Sequence, residues 1–491
     1  MNIVWFKKDL RITDHEPLSH ALNQGPFIAL YIFEPELFNH HDYSYRHFLF
    51  LKDSLTQLHS DLEKLSISLI IKIGDAPKIF HDIHTNTPIQ TIFSHQETGN
   101  QWTFKRDKAV HKWCKTHHIT WLESKQFGIV RALKNRDGWS KQWHAFMSSP
   151  IITTPKKTAN ASQIISSHYI DELDTYVKKI PNLDLQKGGS SNAHALLTSF
   201  LESRGARYHK EMSSPVTAFE SCSRLSPHLS HGTISLKTIY QTINTHKLAL
   251  KSLLKSERGT WIGALSAILG RLRWHCHFMQ KLEDEPSIEF KNLHPAHDML
   301  EKKLNTELFE AWKTGNTGFP MVDACMRALV KTGWLNFRMR AMLTSFACHH
   351  LWLPWQPVSH YLAQCFTDYE PGIHYSQIQM QAGSTGINTI RIYNPIKQAL
   401  DHDPHCLFIK QWIPELLDSK PELIHIIHES NLFNTDYIPA IIDEKIARNH
   451  ARSELFSLRK STSFKKTSAE IVKKHGSRKK TNTNSKLKKE N

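Results

Sequence analysis

The strongest constraint on this chain is the alternation in its first 125 or so residues between short, almost wholly apolar runs and longer amphipathic stretches. Asn2–Phe6, Phe27–Phe33, Ile67–Ile73, Gln90–Phe93 and Ile119–Leu122 read as strands, while Tyr45–Lys64 and Gln101–Thr116 place apolar residues at helical spacing. A run such as Phe27-Ile28-Ala29-Leu30-Tyr31-Ile32-Phe33 has no polar face, so helices must cover both sides of its sheet. That order of elements predicts a parallel, Rossmann-like α/β sheet. Such sheets take ligands at the carboxyl ends of their strands, near a switch in strand order. No Gly-x-Gly-x-x-Gly follows the first strand, so an ordinary dinucleotide site is not expected there.

Beyond residue 128 the pattern changes. Prolines at 150, 155 and 181, a Ser/Thr/Asn-rich stretch from Thr153 to Ser167 and the pair Gly188-Gly189 predict a connector over 129–191. From 192 to 450 the chain reads as all-helical and tryptophan-rich, with helices over Ala193–Arg204, Leu236–Leu253, Thr260–Lys281, Pro320–Thr332, Leu335–His350 and Pro357–Phe366. Residues 451–491 form a basic end: from Arg459 onward twelve Lys/Arg face two Asp/Glu, or +10 of the chain's +16. With so few large apolar residues it is expected to stay disordered, and to attract phosphate backbones without reading their sequence. Seven scattered cysteines, none in a Cys-x-x-Cys, predict reduced thiols and no zinc or iron–sulfur framework. No run reaches the ~18–20 apolar residues of a membrane span, so a cytoplasmic monomer without membrane attachment is expected.

One segment of the helical part bears directly on chemistry. Glu220-Ser221-Cys222-Ser223-Arg224-Leu225-Ser226-Pro227-His228-Leu229 sets small hydroxyls before a Pro-started helix, which suits either a diphosphate or a plain N-cap. The segment also resembles the Thr-Ser-x-Leu-Ser-Pro-Tyr-Leu motif with which photolyases and cryptochromes hold FAD phosphates. Four further segments, in the same order, carry that resemblance from residue 4 to residue 416. They are Val4-Trp5-Phe6-Lys7-Lys8-Asp9-Leu10-Arg11-Ile12-Thr13-Asp14; Thr317-Gly318-Phe319-Pro320-Met321-Val322-Asp323-Ala324-Cys325-Met326-Arg327 with Thr332-Gly333-Trp334; Arg391-Ile392-Tyr393-Asn394-Pro395; and Phe408-Ile409-Lys410-Gln411-Trp412-Ile413-Pro414-Glu415-Leu416. The chain is thereby identified as resembling the photolyase/cryptochrome family; the basic tail lies outside the likeness.

The resemblance implies FAD in the helical domain and a second, light-collecting chromophore of folate or deazaflavin type in the α/β domain, though Glu97-Thr98-Gly99-Asn100-Gln101-Trp102 does not match the folate pattern. It implies an Arg340–Asp368 ion pair beside the flavin ring, Glu370 near the ring and ribityl chain, and phosphate or adenine-side contacts from Tyr208, Ser223, Leu225 and Ser226. Cys222 stands where the family has Thr, and Arg224, His275 and Trp334 complete the cofactor set. His374 falls where many photolyases have Asn, near flavin N5, and is expected to exchange a proton near neutral pH. Trp274 matches the Trp on which a flipped pyrimidine dimer stacks.

The departures concern the reaction. Ile378 replaces the flavin-proximal tryptophan of the electron relay; its middle member is present as Trp355, and no distal one is found near Lys302. Photoreduction would need another route, with Trp352, Tyr375 and Trp334 as candidates. Arg271 stands where cyclobutane-dimer photolyases carry Glu, and Phe337 and Ala341 where they have Asn and Met; the two His of (6-4) photolyases are missing. The resemblance therefore implies light-driven repair of ultraviolet-damaged DNA, its backbone held by Arg391, Lys397 and the tail, or a cryptochrome-type photoreceptor that repairs nothing. Trp274 favours the first; the altered pocket and interrupted relay favour the second.

Overall fold

The computed structural model describes residues 1–156, 166–429 and 436–478. Five parallel strands, β1 (Asn2–Phe6), β2 (Phe27–Phe33), β3 (Leu69–Ile73), β4 (Thr91–His95) and β5 (Thr120–Ser124), lie in the order β3-β2-β1-β4-β5. Helices α1 (Glu16–Asn23), α2 (Tyr45–Glu63), α3 (Ala76–Asn86) and α4 (Gln101–Thr116) connect them. The strand order reverses between β1 and β4, which pair Asn2 with Thr91 and Val4 with Phe93. Both faces are buried, one against Phe48, Leu51 and Leu55 of α2 and the other against Phe80 and Val110 of α3 and α4. The parallel sheet expected from the apolar runs is thus present, with strand boundaries displaced by two residues or fewer.

The carboxyl ends at the switch are filled by the chain's own charges. Arg106 on α4 bonds Glu34, just past β2, at 2.9 Å, Glu97, just past β4, at 2.7 Å, and Asp107 at 2.8 Å. Lys7, just past β1, lies 3.2 Å from Asp107. All five are buried or nearly so.

The expected connector is partly ordered: α5 (Trp139–Ser148) packs Trp139, Trp143 and Met147 into the helical core. The helical part continues through α6 (Ser190–Glu202), the single turn α7 (Ser226–Ser230), α8 (Leu236–Lys251), α9 (Trp261–Asp284), α10 (Pro320–Thr332), α11 (Phe337–Ser345), α12 (Trp355–Cys365), α13 (Pro371–Gln381) and α14 (Pro395–His402). The helix expected over Leu335–His350 is shorter, because Phe346–His350 widens into a π turn. A larger correction concerns the basic end. Residues 451–478 are not disordered: α15 (Glu444–Leu458) and α16 (Thr462–His475) are helical. Ala451, Leu455 and Phe464 anchor them, Phe464 stacking on His294 at 3.8 Å, and Ser461 caps α16. A few well-placed apolar residues suffice when a ready-made surface receives them. The remainder of the tail, from residue 479, lies outside the described residues.

The amino-terminal motif has a structural meaning. Beyond β1 it docks on the helical part: Leu10 N–H donates to the His231 carbonyl at 3.2 Å and Arg11 to that of Gly232 at 2.9 Å. Gly232 has φ +66°, and a Cβ there would meet the Lys8 carbonyl at 2.1 Å, so only glycine permits the approach.

Candidate functional site

A cavity of about 550 Å³ opens in the helical part. One wall is α9, whose Ile268, Arg271, His275 and Phe278 recur at helical spacing and face inward with Trp274. The opposite wall is α13 with the loop before it, and the start of α11 closes the third side. Of the residues singled out in the sequence, Tyr208, Cys222, Ser223, Arg224, Leu225, Ser226, Arg271, Trp274, His275, Trp334, Phe337, Arg340, Asp368, Glu370 and His374 all line this cavity. They are drawn from segments more than 150 residues apart. Trp355 does not line it; its indole N–H donates to Asn292 at 2.9 Å.

At the centre, Arg340 clasps Asp368 through two hydrogen bonds of 2.9 and 2.8 Å and donates a third to the Leu335 carbonyl. Burial opposes charge on Asp368, but Arg340 outweighs it and holds the carboxyl below its ordinary range. Glu370 is buried beside Lys8, whose Nζ lies 3.5 Å away; burial pushes its carboxyl up to about 7, against the pull of that lysine. Lys8 comes from the amino-terminal motif, so the α/β part places a charge against the wall residue Glu370. The periodicity of the sequence gave no sign of this contact.

The Ser223–Ser226 segment takes neither simple form. α7 is one turn with no side-chain cap, so Ser223 and Ser226 are not N-caps and the helix end contributes little field. The strongest donor there is Arg224, in the left-handed region at φ 60°. Its guanidinium lies 4.2 Å over Trp334, its Nε is buried without a partner, and burial draws its pKa down to about 10. A buried guanidinium nitrogen without a partner, beside serine hydroxyls, fits an anionic phosphate group. Cys222 is a poor donor whose thiol burial pushes up to about 12.

The expectation for His374 is corrected. Its Nε2 donates to the Ser359 carbonyl at 2.9 Å, and burial pulls its pKa down to about 4, so the ring is neutral near pH 7. Ile378 lies on the cavity wall, where it leaves no relay ring. At the mouth, Trp274 stacks with Phe278 at 5.5 Å, and Arg271 lies 5.8 Å over the half-exposed Phe337. Among the described residues Arg271 has no carboxylate partner, so its charge is free. By contrast Lys397 is paired with Asp401 at 3.3 Å.

Residues 268–456 match the model for the FAD binding domain of DNA photolyase, and residues 2–134 match the DNA photolyase model, together about two thirds of the chain. The deoxyribodipyrimidine photo-lyase of Halobacterium salinarum is 25% identical, the alignment covering 92% of this chain and 98% of that protein. The cryptochrome DASH of Gloeobacter violaceus is also 25% identical, over 86% and 87%. The crystal structure of an archaeal photolyase from Sulfolobus tokodaii with two FAD molecules superposes with TM-score 0.78 at 26% identity, covering 93% of this chain and 100% of that one. Fold and cavity together define a flavoprotein, with a parallel α/β domain and a helical FAD-binding domain. The chain belongs to the photolyase/cryptochrome family.

Proposed function

We propose that this chain is a light-driven DNA repair enzyme that splits ultraviolet-induced pyrimidine dimers. The observation that carries this reading is the mouth of the cavity: an aromatic wall, Trp274, stands over the same space that the FAD-binding residues enclose. When bound, FAD supplies the light absorption and the electron that opens the dimer and is then returned. The chain's own residues hold and shield. Arg340, fixed by Asp368, sets a positive charge in a dry site, where it stabilises electron-rich groups without reorganising. Arg224, Ser223 and Ser226 anchor the phosphates. Trp274 offers a flipped base the stacking it loses on leaving the duplex, and Arg271, Arg391 and the exposed lysines of α16 hold the backbone. Lys397 contributes less, because Asp401 offsets its charge.

A cryptochrome-type photoreceptor is the second reading, favoured by Arg271 at the lesion contact and by Ile378 in the relay. A light-collecting chromophore of folate or deazaflavin type would have to sit away from the strand switch, which Arg106 and its carboxylates occupy. The deciding experiment illuminates chemically reduced, FAD-loaded protein with oligonucleotides carrying one defined cyclobutane or (6-4) lesion and follows restored thymine. Repair of either lesion establishes the enzyme. Two intact lesions, with flavin bound and reduced, leave the photoreceptor.

A further inference from the structure

An electron must reach the cavity by a path that Ile378 does not offer, and Trp334, Trp352 and Trp355 are poorly placed to give one. Trp334 lines the cavity, but the Arg224 guanidinium lies over its ring at 4.2 Å. Trp352 carries the Lys302 ammonium at 4.1 Å. A cation on the ring face opposes the positive charge that oxidation creates there. Trp355 lies outside the wall.

Tyr369 is different. It lines the cavity between Asp368 and Glu370 and is buried, with His374 5.2 Å from its ring. Its hydroxyl donates to Oδ2 of Asp42, a carboxylate with no exposure that comes from the α/β part. Tyr375, behind it, donates to the same oxygen at 3.2 Å, and Asn100 at 3.0 Å. On the other side His40 Nδ1 lies 2.6 Å from Asp42 Oδ1, and that imidazole is a quarter exposed. Burial opposes charge on Asp42, yet hydrogen bonds from His40, Tyr369 and Asn100 outweigh it and keep it ionised. A cavity-lining phenol therefore leans on a buried base that has a route to solvent.

We propose that Tyr369 is an electron donor to light-excited FAD and that Asp42 takes its phenolic proton. This rests on FAD occupying the cavity. One electron leaves the phenol for the flavin, the O–H proton passes along the hydrogen bond to Asp42, and a neutral tyrosyl radical remains. Asp42 releases its proton through His40, and an external thiol restores the phenol by giving one electron and one proton. Proton loss matters because an oxidised phenol that keeps its proton returns the electron at once.

The test is transient electron paramagnetic resonance on FAD-loaded protein, illuminated without oxygen and with a thiol present. Wild type gives a tyrosyl signal whose formation slows in deuterated water. In Tyr369→Phe the signal and the photoreduction are lost. In Asp42→Asn, which can still accept the hydrogen bond but is no base, the signal is lost or slowed while bound flavin is retained. Tyr375→Phe keeps the wild-type signal. A ring-fluorinated tyrosine at 369 preserves the packing and changes the hyperfine pattern of the radical, which covers the case in which Tyr369→Phe loses flavin. An unaltered signal in Tyr369→Phe, or an unaltered pattern with the fluorinated residue, overturns the proposal. The repair assay on chemically reduced protein needs no photoreduction, so the two readings fail separately.

Discussion

Both domains of this protein end in a place where a ligand is expected, and the two have been built in opposite ways. At the strand switch, Arg106 meets three carboxylates and Lys7 a fourth contact, so most of the charges there are paired within the protein. In the helical cavity, Arg224 Nε is buried without a partner, and among the described residues Arg271 has no carboxylate. Spent charges make a joint; unspent charges make a site. The same residue types serve both, and what separates them is whether the fold supplies their counter-charges.

That contrast predicts different consequences for removing one arginine from each. Arg106→Met leaves Glu34 buried without a cation and Glu97 and Asp107 with Lys7 alone, and should cost about 3–5 kcal/mol of stability with the flavin content per folded molecule unchanged. Arg340→Met also strands a buried carboxylate, Asp368, at about 3 kcal/mol, but here bound FAD should fall with it. Thermal melts combined with flavin-to-protein absorbance separate the two; flavin loss in the Arg106 variant at full folding would break the comparison.

The mouth of the cavity should show smaller, selective effects. Trp274→Ala removes a stacking partner worth about 1–3 kcal/mol, so affinity for lesion-bearing DNA should drop about tenfold or more, with undamaged DNA bound as before. Arg271→Ala should reduce the slope of log affinity against log salt by about one, and Lys397→Ala by less than about one, because Asp401 already offsets that lysine. Gel shifts over a salt series decide this, and equal slopes for the two variants would show that Arg271 touches no phosphate.

Two buried groups give pH effects of opposite sign. Glu370 binds its proton more tightly folded than unfolded, so it erodes stability as pH rises from its ordinary 4.5 through about 7. His374 binds its proton less tightly folded, so it erodes stability as pH falls from 6.5 toward about 4. Glu370→Gln should flatten the first slope and His374→Asn the second in melts across that range. His374→Asn should also leave the light-generated flavin radical's spectrum independent of pH between about 5 and 9, as in wild type, because the histidine is already neutral there.

Much of this was legible in the residues. Strands such as Phe27–Phe33 have no polar face to confuse the reading, and α10 begins at Pro320 and ends before Gly333, so both its boundaries are written in its sequence. α13 escaped because His374, Tyr375, Ser376, Ile378, Gln379 and Gln381 bury it on every side, leaving no polar stripe to set the period. The helix at 462–475 escaped for the opposite reason: it holds by little more than Phe464, and composition weighs such a segment as tail.

The succession of strands and of most helices, the motifs and many of the polar residues in the cavity were determined by the sequence alone, since local pattern and residue type suffice for them. The state of those residues was not. That His374 is neutral, that Lys8 reaches Glu370 and that Asp42 lies under Tyr369 more than 300 residues away were decided only by the tertiary structure. Charge and hydrogen bonding in a dry interior depend on what packs alongside, and those neighbours come from distant parts of the chain.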